Sequence, residues 1–300
     1  CDIVILECGM GGKLDATNAI HSSLVDIITS LSLDHRNFLG DDLKDISLHK
    51  FGIIKAGSKN VILAPQEKEV YDYFHEYMSN QADLCNVFIR EAYRDALSYN
   101  HFVVDDKVVQ IINYKSYVNL QLSLPGVHQT DNAITALEVL DVLIKEGYKL
   151  KEEKIREAFA NAYWPGRFEI IKKDRLYILD GAHNMDAIDR LFTNMSLYFT
   201  NRKMVYIMGM YKDKDYTEVV KQCADKAKAI VTVSARDRKR RVDAFELGKE
   251  FAKYNPNVTS ADSYVEGLEM AELLSDKKDI ILIFGSLSFL GEMRDLINKK

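Results

Sequence analysis

The sequence lacks any apolar run long enough to cross a bilayer, since runs such as Ile280–Phe284 fall far short of the ~20 residues required. Proline and glycine are scarce, at 4 and 15 residues in 300, which excludes collagen-like and low-complexity chains. The four cysteines form neither a CxxC pair nor a zinc-like spacing, a pattern typical of a protein in a reducing cytoplasm. A basic excess is also missing. The net charge of -5 argues against a general nucleic-acid or membrane surface, so any anionic ligand must meet a local positive site.

What is present indicates a folded α/β protein with two domains. Apolar residues make up 47% and charged residues 28% of the chain, and each half is long enough to bury its own core. After Trp164-Pro165-Gly166 the pattern changes to regular alternation of strands and helices, typical of a parallel sheet. We therefore predict domains at 1–164 and 165–300.

The first domain is predicted to be the more irregular of the two. Short apolar runs predict buried strands at 3–6, 27–31 and 61–63, and helical spacing predicts helices at 41–55, 67–85, 132–145 and 151–162. The segment 87–124 alternates in the manner of an antiparallel flank, with a hairpin-like break at Asp105-Asp106. Because Cys1 already lies inside a strand pattern, the chain is expected to be a fragment of a longer protein.

The second domain is predicted to alternate strictly. The predicted strands lie at 176–179, 204–208, 229–233 and 280–284, and the predicted helices at 185–198, 217–227, 244–254, 265–274 and 289–298. Such a sheet places the carboxyl ends of its strands at one edge, where α/β proteins bind ligands.

Three residues of the first domain are candidates for chemistry. Glu7 follows the predicted strand 3–6 and precedes three glycines, and His35 follows the second strand. A carboxylate and an imidazole at one sheet edge could hold a metal, although Glu7 could equally be a solvated glutamate and a histidine at a strand end is more often structural. Lys50 lies within a predicted helix, where a lysine is usually a solvated charge. The glycines do not complete the dinucleotide motif GxGxxG, whose third glycine would fall at Leu14.

The second domain offers a denser group of candidates. Arg167 lies at the domain junction, where a guanidinium suits phosphate oxygens or an ordinary ion pair. Asp180 and His183 follow a strand within four residues, and Asn184 is placed to cap the next helix. Ser286 follows another strand, as part of an anion site or a simple cap. The basic run 236–241 lacks interleaved aromatics and is predicted to be a solvated loop.

The combined motifs resemble those of the folylpolyglutamate synthase and dihydrofolate synthase family, a branch of the Mur ligase superfamily. The resemblance runs nearly end to end and depends on the order and spacing of short motifs. These are the segments 7–18 (ECGMGGKLDATN), 32–35 with 39–40, 50–55 (KFGIIK), 124–126 with 128–129 and 132–133, 165–169 (PGRFE), 180–184 (DGAHN), 213–215 and 285–287.

The resemblance implies a fold, a reaction and cofactors. The fold would be an incomplete Mur-ligase-type central ATP-binding domain at 1–164 and a Rossmann-like ligase domain at 165–300. The family moves the γ-phosphoryl group of ATP onto a substrate carboxylate, and the amine of L-glutamate attacks the acyl phosphate. The implied cofactors are ATP and Mg²⁺, and the implied substrates are glutamate with folate or dihydropteroate. A monomer in the cytoplasm, with no nucleic-acid or membrane partner, is expected.

The resemblance also implies roles for individual residues. Glu7, His35 and a carbamylated Lys50 would bind magnesium. Asn132 would contact adenine, and Arg167 would clamp phosphate. Asp180 and His183 would contact the nucleotide, and Ser286 would lie near the glutamate site. Lys50, Arg167 and His183 are the implied catalytic residues, and Glu7, His35 and Arg167 are expected to converge on one nucleotide cleft.

Two departures from the family pattern leave alternatives open. The phosphate loop, which resembles GxxGK[ST], does not occur in these residues and would lie upstream of Cys1, so the isolated chain is expected to be inactive. Met185 stands where the family often has proline, which affects helix capping only. A peptidoglycan-precursor ligase, a noncatalytic nucleotide-binding module and a dinucleotide-dependent oxidoreductase are the alternatives, the last disfavoured because no full GxGxxG follows a strand.

Overall fold

A computed structural model describes residues 1–33 and 36–299. The chain divides into two compact units, each assembled from several segments. Unit 1 comprises Cys1–Asn100, Ile111–Leu122 and Val127–Asn161, and unit 2 comprises His101–Gln110, Ser123–Gly126 and Ala162–Lys300. The predicted α/β class is confirmed. The functional domain limits 1–164 and 165–300 stay predictions.

Unit 1 contains a small parallel sheet covered by helices. Its strands lie in the order β1-β2-β3. Two helices, α1 and α2, connect β1 to β2, and α3 lies between β2 and β3 in the chain. The bounds are β1 (Ser23–Ile28), α1 (Arg36–Leu39), α2 (Leu43–Phe51), β2 (Ser58–Leu63), α3 (Lys68–Ser79) and β3 (Phe88–Glu91). β2 is the central strand, and its apolar residues Val61 and Leu63 are fully buried, as expected for a strand covered on both faces.

Helices α2 and α3 pack over this sheet through aromatic side chains. Asp42 begins α2, because its carboxylate accepts a hydrogen bond from the backbone N–H of Asp45 at 2.8 Å. Phe51 ends α2 in the core and meets Phe74 of α3 edge to face, with ring centroids 5.4 Å apart. This contact fixes the carboxyl end of α2, which carries Lys50.

The predicted strand at 3–6 is wrong. Residues 1–8 have no strand assignment, and Val4 and Ile5 are 69% and 88% exposed. A strand needs a hydrogen-bonded neighbour, and the sheet of unit 1 consists of β1, β2 and β3 only, within the described residues. Glu7 therefore does not follow a strand, although residues 3–6 before it are apolar like those of a buried strand.

A second three-stranded sheet and two helices complete the first half of the chain. The bounds are β4 (Leu97–Val104), β5 (Lys107–Tyr114), β6 (Tyr117–Leu122), α4 (Val127–Lys145) and α5 (Glu152–Ala160), with the strands in the order β4-β5-β6. Asp105 and Asp106 join β4 to β5 with φ of 50° and 64°, which is the left-handed pair that a two-residue hairpin turn requires. The predicted hairpin break is confirmed.

Unit 2 is built around a six-stranded sheet. Its strands lie in the order β11-β10-β9-β12-β8-β7, parallel except for β7, which pairs with β8 in antiparallel fashion. The bounds are β7 (Glu169–Lys172), β8 (Leu176–Asp180), α6 (Met185–Tyr198), β9 (Met204–Met208), α7 (Tyr216–Cys223), β10 (Ala229–Thr232), α8 (Ala244–Phe251), β11 (Val258–Ser260), α9 (Tyr264–Leu274), β12 (Ile280–Phe284) and α10 (Leu287–Lys299).

Both faces of this sheet are covered by helices. Along β12, Leu282 packs into one apolar core, and Ile281 and Ile283 pack into the other. Such double burial explains the uninterrupted apolar runs of the central strands. Sequence patterns missed β7 and β11, because both are short edge strands with little apolar content. In the described part of the chain, no helix is both long and apolar enough to cross a membrane.

Candidate functional site

The carboxyl edge of the sheet in unit 2 brings several predicted residues to neighbouring strand ends. Asp180 of β8 lies opposite Phe284 of β12, which in turn lies opposite Met208 of β9. Ser286 follows β12 by two residues. Asp180 and Ser286 therefore follow adjacent parallel strands at the edge where α/β folds bind ligands.

The turn that carries Arg167 is fixed on both sides of this residue. The N–H of Gly166 donates to Oε2 of Glu169 at 2.8 Å, and the N–H of Phe168 donates to Oδ2 of Asp180 at 2.7 Å. Gly166 also accepts a hydrogen bond from Gly181 at 2.8 Å. Gly166 and Phe168 both have positive φ, 70° and 47°, which is uncommon for a bulky residue. The turn is thus held in a conformation that Phe168 would rarely adopt alone.

Glu169 is the buried anchor of this turn. Its carboxylate accepts a two-point fork from Arg294, with both N–O distances at 2.7 Å, and a further hydrogen bond from the hydroxyl of Tyr163. Burial raises the pKa of the Glu169 carboxyl, but the hydrogen bonds from Arg294 and Tyr163 outweigh burial and leave the pKa below its usual value. Glu169 is therefore ionised and fully engaged.

The guanidinium of Arg167 lies over the ring of Trp164, 5.6 Å from its centroid. In the part of the chain that the structure describes, Arg167 forms no ion pair with a carboxylate. Its N–H donors are thus available to an anionic ligand. Trp164 is the only tryptophan in the sequence and is 47% exposed, so its fluorescence reports directly on the surroundings of Arg167.

The carboxylate of Asp180 binds backbone N–H groups on both sides of the site. Its two oxygens accept from the N–H groups of Phe168 and Ala182, at 2.7 and 2.8 Å. Burial raises the pKa of Asp180, and the backbone donors and the positive charge of Arg167 oppose that rise. These bonds give Asp180 a role in shaping the loop. The predicted nucleotide contact of Asp180 stays a prediction.

His183 and Asn184 have defined local partners. Nδ1 of His183 lies 2.7 Å from the carbonyl oxygen of Gly181, so the proton of a neutral ring resides on Nδ1 and orients the imidazole. Asn184 caps α6, since its side-chain oxygen accepts from the N–H of Ala187 at 2.9 Å. The capping interpretation of Asn184 is confirmed.

Ser286 lies at the start of α10 after a strained glycine. Gly285 has φ of 108°, and a Cβ there would lie 2.5 Å from the carbonyl oxygen of Gly209, so only glycine fits. The hydroxyl of Ser286 accepts from the N–H of Ser288 at 3.3 Å and lies 3.0 Å from the Ser288 hydroxyl. This is a capping arrangement, and the predicted glutamate contact of Ser286 is a separate expectation.

In unit 1, Asp15 organises the glycine-rich loop after Glu7. One carboxylate oxygen accepts from the N–H groups of Gly9 and Met10, at 2.9 and 3.0 Å, and the other accepts from the N–H and hydroxyl of Thr17. These bonds, the Thr17 hydroxyl first among them, lower the pKa of Asp15 to about 2. Asp15 thus closes the loop on itself.

The same loop packs against the carboxyl end of α2. The N–H of Lys13 donates to the carbonyl of His49 at 2.8 Å, and Asn18 donates to the carbonyl of Gly52 at 3.1 Å. A Cβ on Gly12 would lie 3.1 Å from the carbonyl oxygens of both His49 and Lys50. The glycine loop and the backbone of Lys50 are therefore in close contact, as the motif order suggests.

The predicted magnesium ligands are only partly described. Glu7 is exposed and Lys50 is half-buried, and His35 lies outside the described residues. Over residues 1–33 and 36–299, no group of three histidine, cysteine, aspartate or glutamate side chains is placed to hold a metal ion. The described residues do not assemble a metal centre by themselves, so the magnesium role of Glu7, His35 and Lys50 stays a prediction.

Asn132 lies on α4 of unit 1, on its exposed face. Its amide donates to the side-chain oxygen of Gln129 at 3.0 Å, and the neighbouring Asp131 pairs with Arg94 at 2.9 Å. A cavity of about 500 Å³ lies in the same unit, at the carboxyl ends of β2 and β3. Its wall is formed by Pro65, Gln66, Tyr71, Asp72, His75, Glu91, Tyr93, Arg94 and Asp95, and it includes none of the predicted site residues that the structure describes.

Sequence reasoning missed the residues that fix the loops. Asp15, Asn18 and Glu169 lie within the family motifs, but the sequence alone predicts no role for them. A carboxylate within three residues of a glycine that needs positive φ is the signal that could have identified Glu169. Its ion-pair partner Arg294 lies 125 residues away and carries no local signal.

The comparisons with known proteins agree with the motif order. Residues 166–287 match the model of the Mur ligase glutamate ligase domain. A dihydrofolate synthase/folylpolyglutamate synthase from Bacillus subtilis is 30% identical over 305 residues, which cover 98% of this chain and 67% of the relative. The chain belongs to the dihydrofolate synthase/folylpolyglutamate synthase family. The members of this family are ATP-dependent glutamate ligases of the Mur ligase superfamily.

Solved structures share the fold. A folylpolyglutamate synthase from Mycobacterium tuberculosis, complexed with ADP and AMPPCP, has a TM-score of 0.79 at 23% identity and covers 98% of this chain and 68% of its own. FolC of Escherichia coli, in complex with DHPP and ADP, has a TM-score of 0.75 at 25% identity, with 97% of this chain and 65% of the other covered. The chain spans about two thirds of the length of these relatives.

Proposed function

We propose that this chain forms the glutamate-ligating part of an enzyme that joins L-glutamate to folate or dihydropteroate with ATP. The observation that carries the proposal is the Arg167 turn, which is held by the carboxylates of Glu169 and Asp180 and presents a guanidinium that pairs with no carboxylate among the described residues. This turn opens the segment that matches the glutamate ligase domain. The FolC complex with DHPP and ADP supports a nucleotide and a pterin-type substrate.

The reaction needs a phosphoryl transfer followed by amide formation. The substrate carboxylate oxygen attacks the γ-phosphorus of ATP, the bond to the β-phosphate oxygen breaks, and ADP leaves. The amine of glutamate then attacks the acyl carbon, loses a proton and expels inorganic phosphate. Positioning and charge neutralisation supply most of the catalysis in such transfers. Arg167 would neutralise phosphate charge with its fork of N–H donors.

The remaining roles follow the family resemblance. Nδ1 of His183 is oriented by the carbonyl oxygen of Gly181, and Asp180 holds the His183 loop and the Arg167 turn together by accepting from the N–H groups of Ala182 and Phe168. Asn132 would contact the adenine, and Ser286 would contact glutamate. A divalent metal, which we propose to be Mg²⁺, would supply further neutralisation of phosphate charge, with Glu7, His35 and carbamylated Lys50 as its ligands.

The expected partners are small molecules, namely ATP, glutamate and a folate or dihydropteroate. We also propose a monomer that works in the cytoplasm. The scattered cysteines support this location, because Cys1, Cys8, Cys85 and Cys223 are all unpaired.

Nucleotide titration followed by Trp164 fluorescence tests the proposal without requiring turnover. ADP and ATP should change the emission of Trp164 saturably, because phosphate would draw the Arg167 guanidinium away from the indole. Arg167→Ala should weaken nucleotide binding about tenfold or more by calorimetry, and Arg167→Lys should recover part of the loss, since lysine keeps the charge but not the fork. Nucleotide binding that is equal in wild type and Arg167→Ala would contradict the clamp role.

Turnover provides the second test. A protein that contains this chain should add glutamate to folate or dihydropteroate only when ATP is present, releasing ADP and phosphate in equal amounts. Arg167→Ala should reduce kcat by at least tenfold while changing the free energy of unfolding by less than about 1 kcal/mol, because Arg167 makes no ion pair in the described structure. Failure of ATP to support glutamate addition would overturn the proposed function.

A further inference from the structure

The first turns of α4 are tied to the chain that follows β3 by an ion pair. Nε and Nη2 of Arg94 donate to the two carboxylate oxygens of Asp131 at 3.1 and 2.9 Å, which is the fork geometry of a strong arginine–carboxylate pair. Asp131 lies in the second turn of α4 and immediately precedes Asn132. The pair therefore fixes the part of the helix that carries the proposed adenine contact.

A second arginine, Arg90 of β3, holds α4 further along the helix. It donates to Oε2 of Glu138 at 2.6 and 3.0 Å, and Glu138 also accepts from the hydroxyl of Tyr114 at 2.6 Å. Glu138 is buried, so its pair with Arg90 is part of the packing of the fold. The side chain of Arg94 is half exposed, and an ion pair at such a site contributes little to stability. Loss of Arg94 should therefore leave α4 folded and change only the placement of its first turns.

The side-chain amide of Asn132 keeps hydrogen-bonding groups for a ligand. Its Nδ2 donates to Oε1 of the buried Gln129 at 3.0 Å, and its Oδ1 accepts from no residue that the structure describes. An asparagine amide can pair with adenine at two points, since its oxygen accepts from the N6 amino group and its nitrogen donates to a ring nitrogen. Gln129 uses one of the two Nδ2 hydrogens, so the second hydrogen and Oδ1 are the groups that this pairing needs.

We propose that Arg94, acting through Asp131, is a positioning residue that sets the preference of the nucleotide site for adenine. This inference rests on the proposed function, in which Asn132 contacts the adenine. A two-point contact depends on the exact placement of the amide, because hydrogen bonds weaken steeply as their angle departs from linearity. The Arg94–Asp131 fork would act on this contact through the backbone of α4, from the residue that precedes Asn132.

The opposite end of α4 offers a matched control. Lys59 of β2 pairs with Glu146, the residue that follows α4, at 3.3 Å. The side chains of Lys59 and Arg94 are similarly exposed, at 63% and 52%. Glu146 lies 14 residues after Asn132, which is about 20 Å along a helix. Lys59→Ala therefore removes a comparable ion pair from the same helix, far from the proposed adenine contact.

Steady-state kinetics of a protein that contains this chain, with ATP and ITP as alternative phosphoryl donors, test the inference. ITP carries an oxygen in place of the N6 amino group, so it cannot donate to Oδ1 of Asn132. Arg94→Ala should raise the KM for ATP about fivefold, leave kcat within about twofold, and change the KM for ITP by less than about twofold. Lys59→Ala should leave both KM values within about twofold of wild type. Arg94→Lys should recover part of the loss with ATP, since lysine keeps the charge but not the fork.

The partner residue gives a further check. Asp131→Ala should reproduce the effect of Arg94→Ala, and the double variant should exceed neither single variant, because both remove one interaction. With ATP-dependent ligation intact in the wild type, the same KM for ATP in Arg94→Ala and Lys59→Ala would overturn the inference alone, as would an equal rise of KM for ATP and ITP in Arg94→Ala. Absence of ATP-dependent ligation in the wild type would instead reject the proposed function and the inference with it.

Discussion

Two segments that carry predicted site residues, the Arg167 turn and the loop after Glu7, are held in different ways. In unit 2, the Arg167 turn is anchored at the edge of a six-stranded sheet by Glu169, which is buried, and by Asp180, which is half-buried. In unit 1, the loop after Glu7 is anchored by Asp15, a half-buried carboxylate that bonds to its own neighbours. The first arrangement depends on residues far apart in sequence, whereas the second is almost entirely local.

The difference shows where each arrangement gets its stability. Glu169 is positioned by Arg294 of α10, so the Arg167 turn is only as stable as the packing of that helix on the sheet. Asp15 makes short-range bonds that need little beyond the loop, and Lys13 and Asn18 then fasten it to the end of α2. Disrupting the first should therefore cost far more than disrupting the second.

Glu169→Ala should have the largest effect on stability. The substitution leaves Arg294 without its partner and removes the acceptor of the Gly166 N–H, so we expect a loss of about 3 kcal/mol in the free energy of unfolding, measured by urea denaturation. Glu169→Gln keeps the shape and one acceptor oxygen and should cost less. Both variants should shift the emission of Trp164, because the Arg167 turn loses its anchor.

A surface ion pair in unit 1 provides the matched control. Lys44 and Glu76 lie 3.1 Å apart, and both side chains are about half exposed. Glu76→Ala should cost less than about 1 kcal/mol and leave Trp164 emission unchanged. Similar losses for Glu169→Ala and Glu76→Ala would show that the Arg167 turn does not depend on its buried pair.

The sequence predicted the fold of unit 2 well, because its signals are local and periodic. The helix Met185–Tyr198 and the strands Met204–Met208 and Ile280–Phe284 have the predicted bounds. Unbroken apolar runs identify strands buried on both faces, and helical spacing identifies the layers that cover them. The strand predicted at 3–6 is absent because composition alone supplies no hydrogen-bonded neighbour.

The site could be predicted as a set of candidate residues but not as a set of contacts. Strand-end position correctly placed Asp180 and Ser286 at one edge of a sheet. The partners that decide what each residue does, such as Arg294 for Glu169, are distant in sequence and have no periodic signal. The roles of Lys50 and Asn132 came from family resemblance alone, whereas the metal role of Glu7 and the phosphate role of Arg167 also followed from residue type and position. All four roles stay predictions.

Alanine substitutions of one glycine in each segment should differ in the free energy of unfolding that they cost, by less than the difference expected for the carboxylate anchors. A Cβ on Gly12 would lie 2.8 Å from Ile53 and 3.1 Å from two carbonyl oxygens, which have little room to move. We expect Gly12→Ala to cost about 1–3 kcal/mol in the free energy of unfolding. Gly181→Ala meets mainly Leu287, whose side chain is 46% exposed and can rotate away, so it should cost less.

Urea denaturation of both alanine variants tests this expectation. A larger loss in the free energy of unfolding for Gly181→Ala than for Gly12→Ala would contradict it. The loop after Glu7 would then accommodate a Cβ more easily than its contacts with α2 suggest. The Arg167 turn would then be the more rigid of the two segments at backbone level as well as through its side chains.

The smallest effects should appear in the pH dependence of stability, where the two aspartates have opposite signs. Asp15 has a pKa of about 2 against an ordinary value of 3.8, so its carboxylate stabilises the fold above pH 3.8 and loses that contribution as the pH falls toward 2. Burial raises the pKa of Asp180, so its contribution is complete below pH 3.8 and declines as the pH rises through the folded-state pKa.

Urea denaturation of Asp15→Asn and Asp180→Asn between pH 3 and pH 6 measures how the contribution of each aspartate to stability changes with pH. The stability lost in Asp15→Asn, relative to wild type, should increase as the pH rises across this interval, and the stability lost in Asp180→Asn should decrease. The slopes matter rather than the absolute losses, because asparagine cannot accept both backbone bonds of Asp180. Parallel slopes in the two variants would mean that burial does not raise the pKa of Asp180, and the contrast between the two aspartates would then fail.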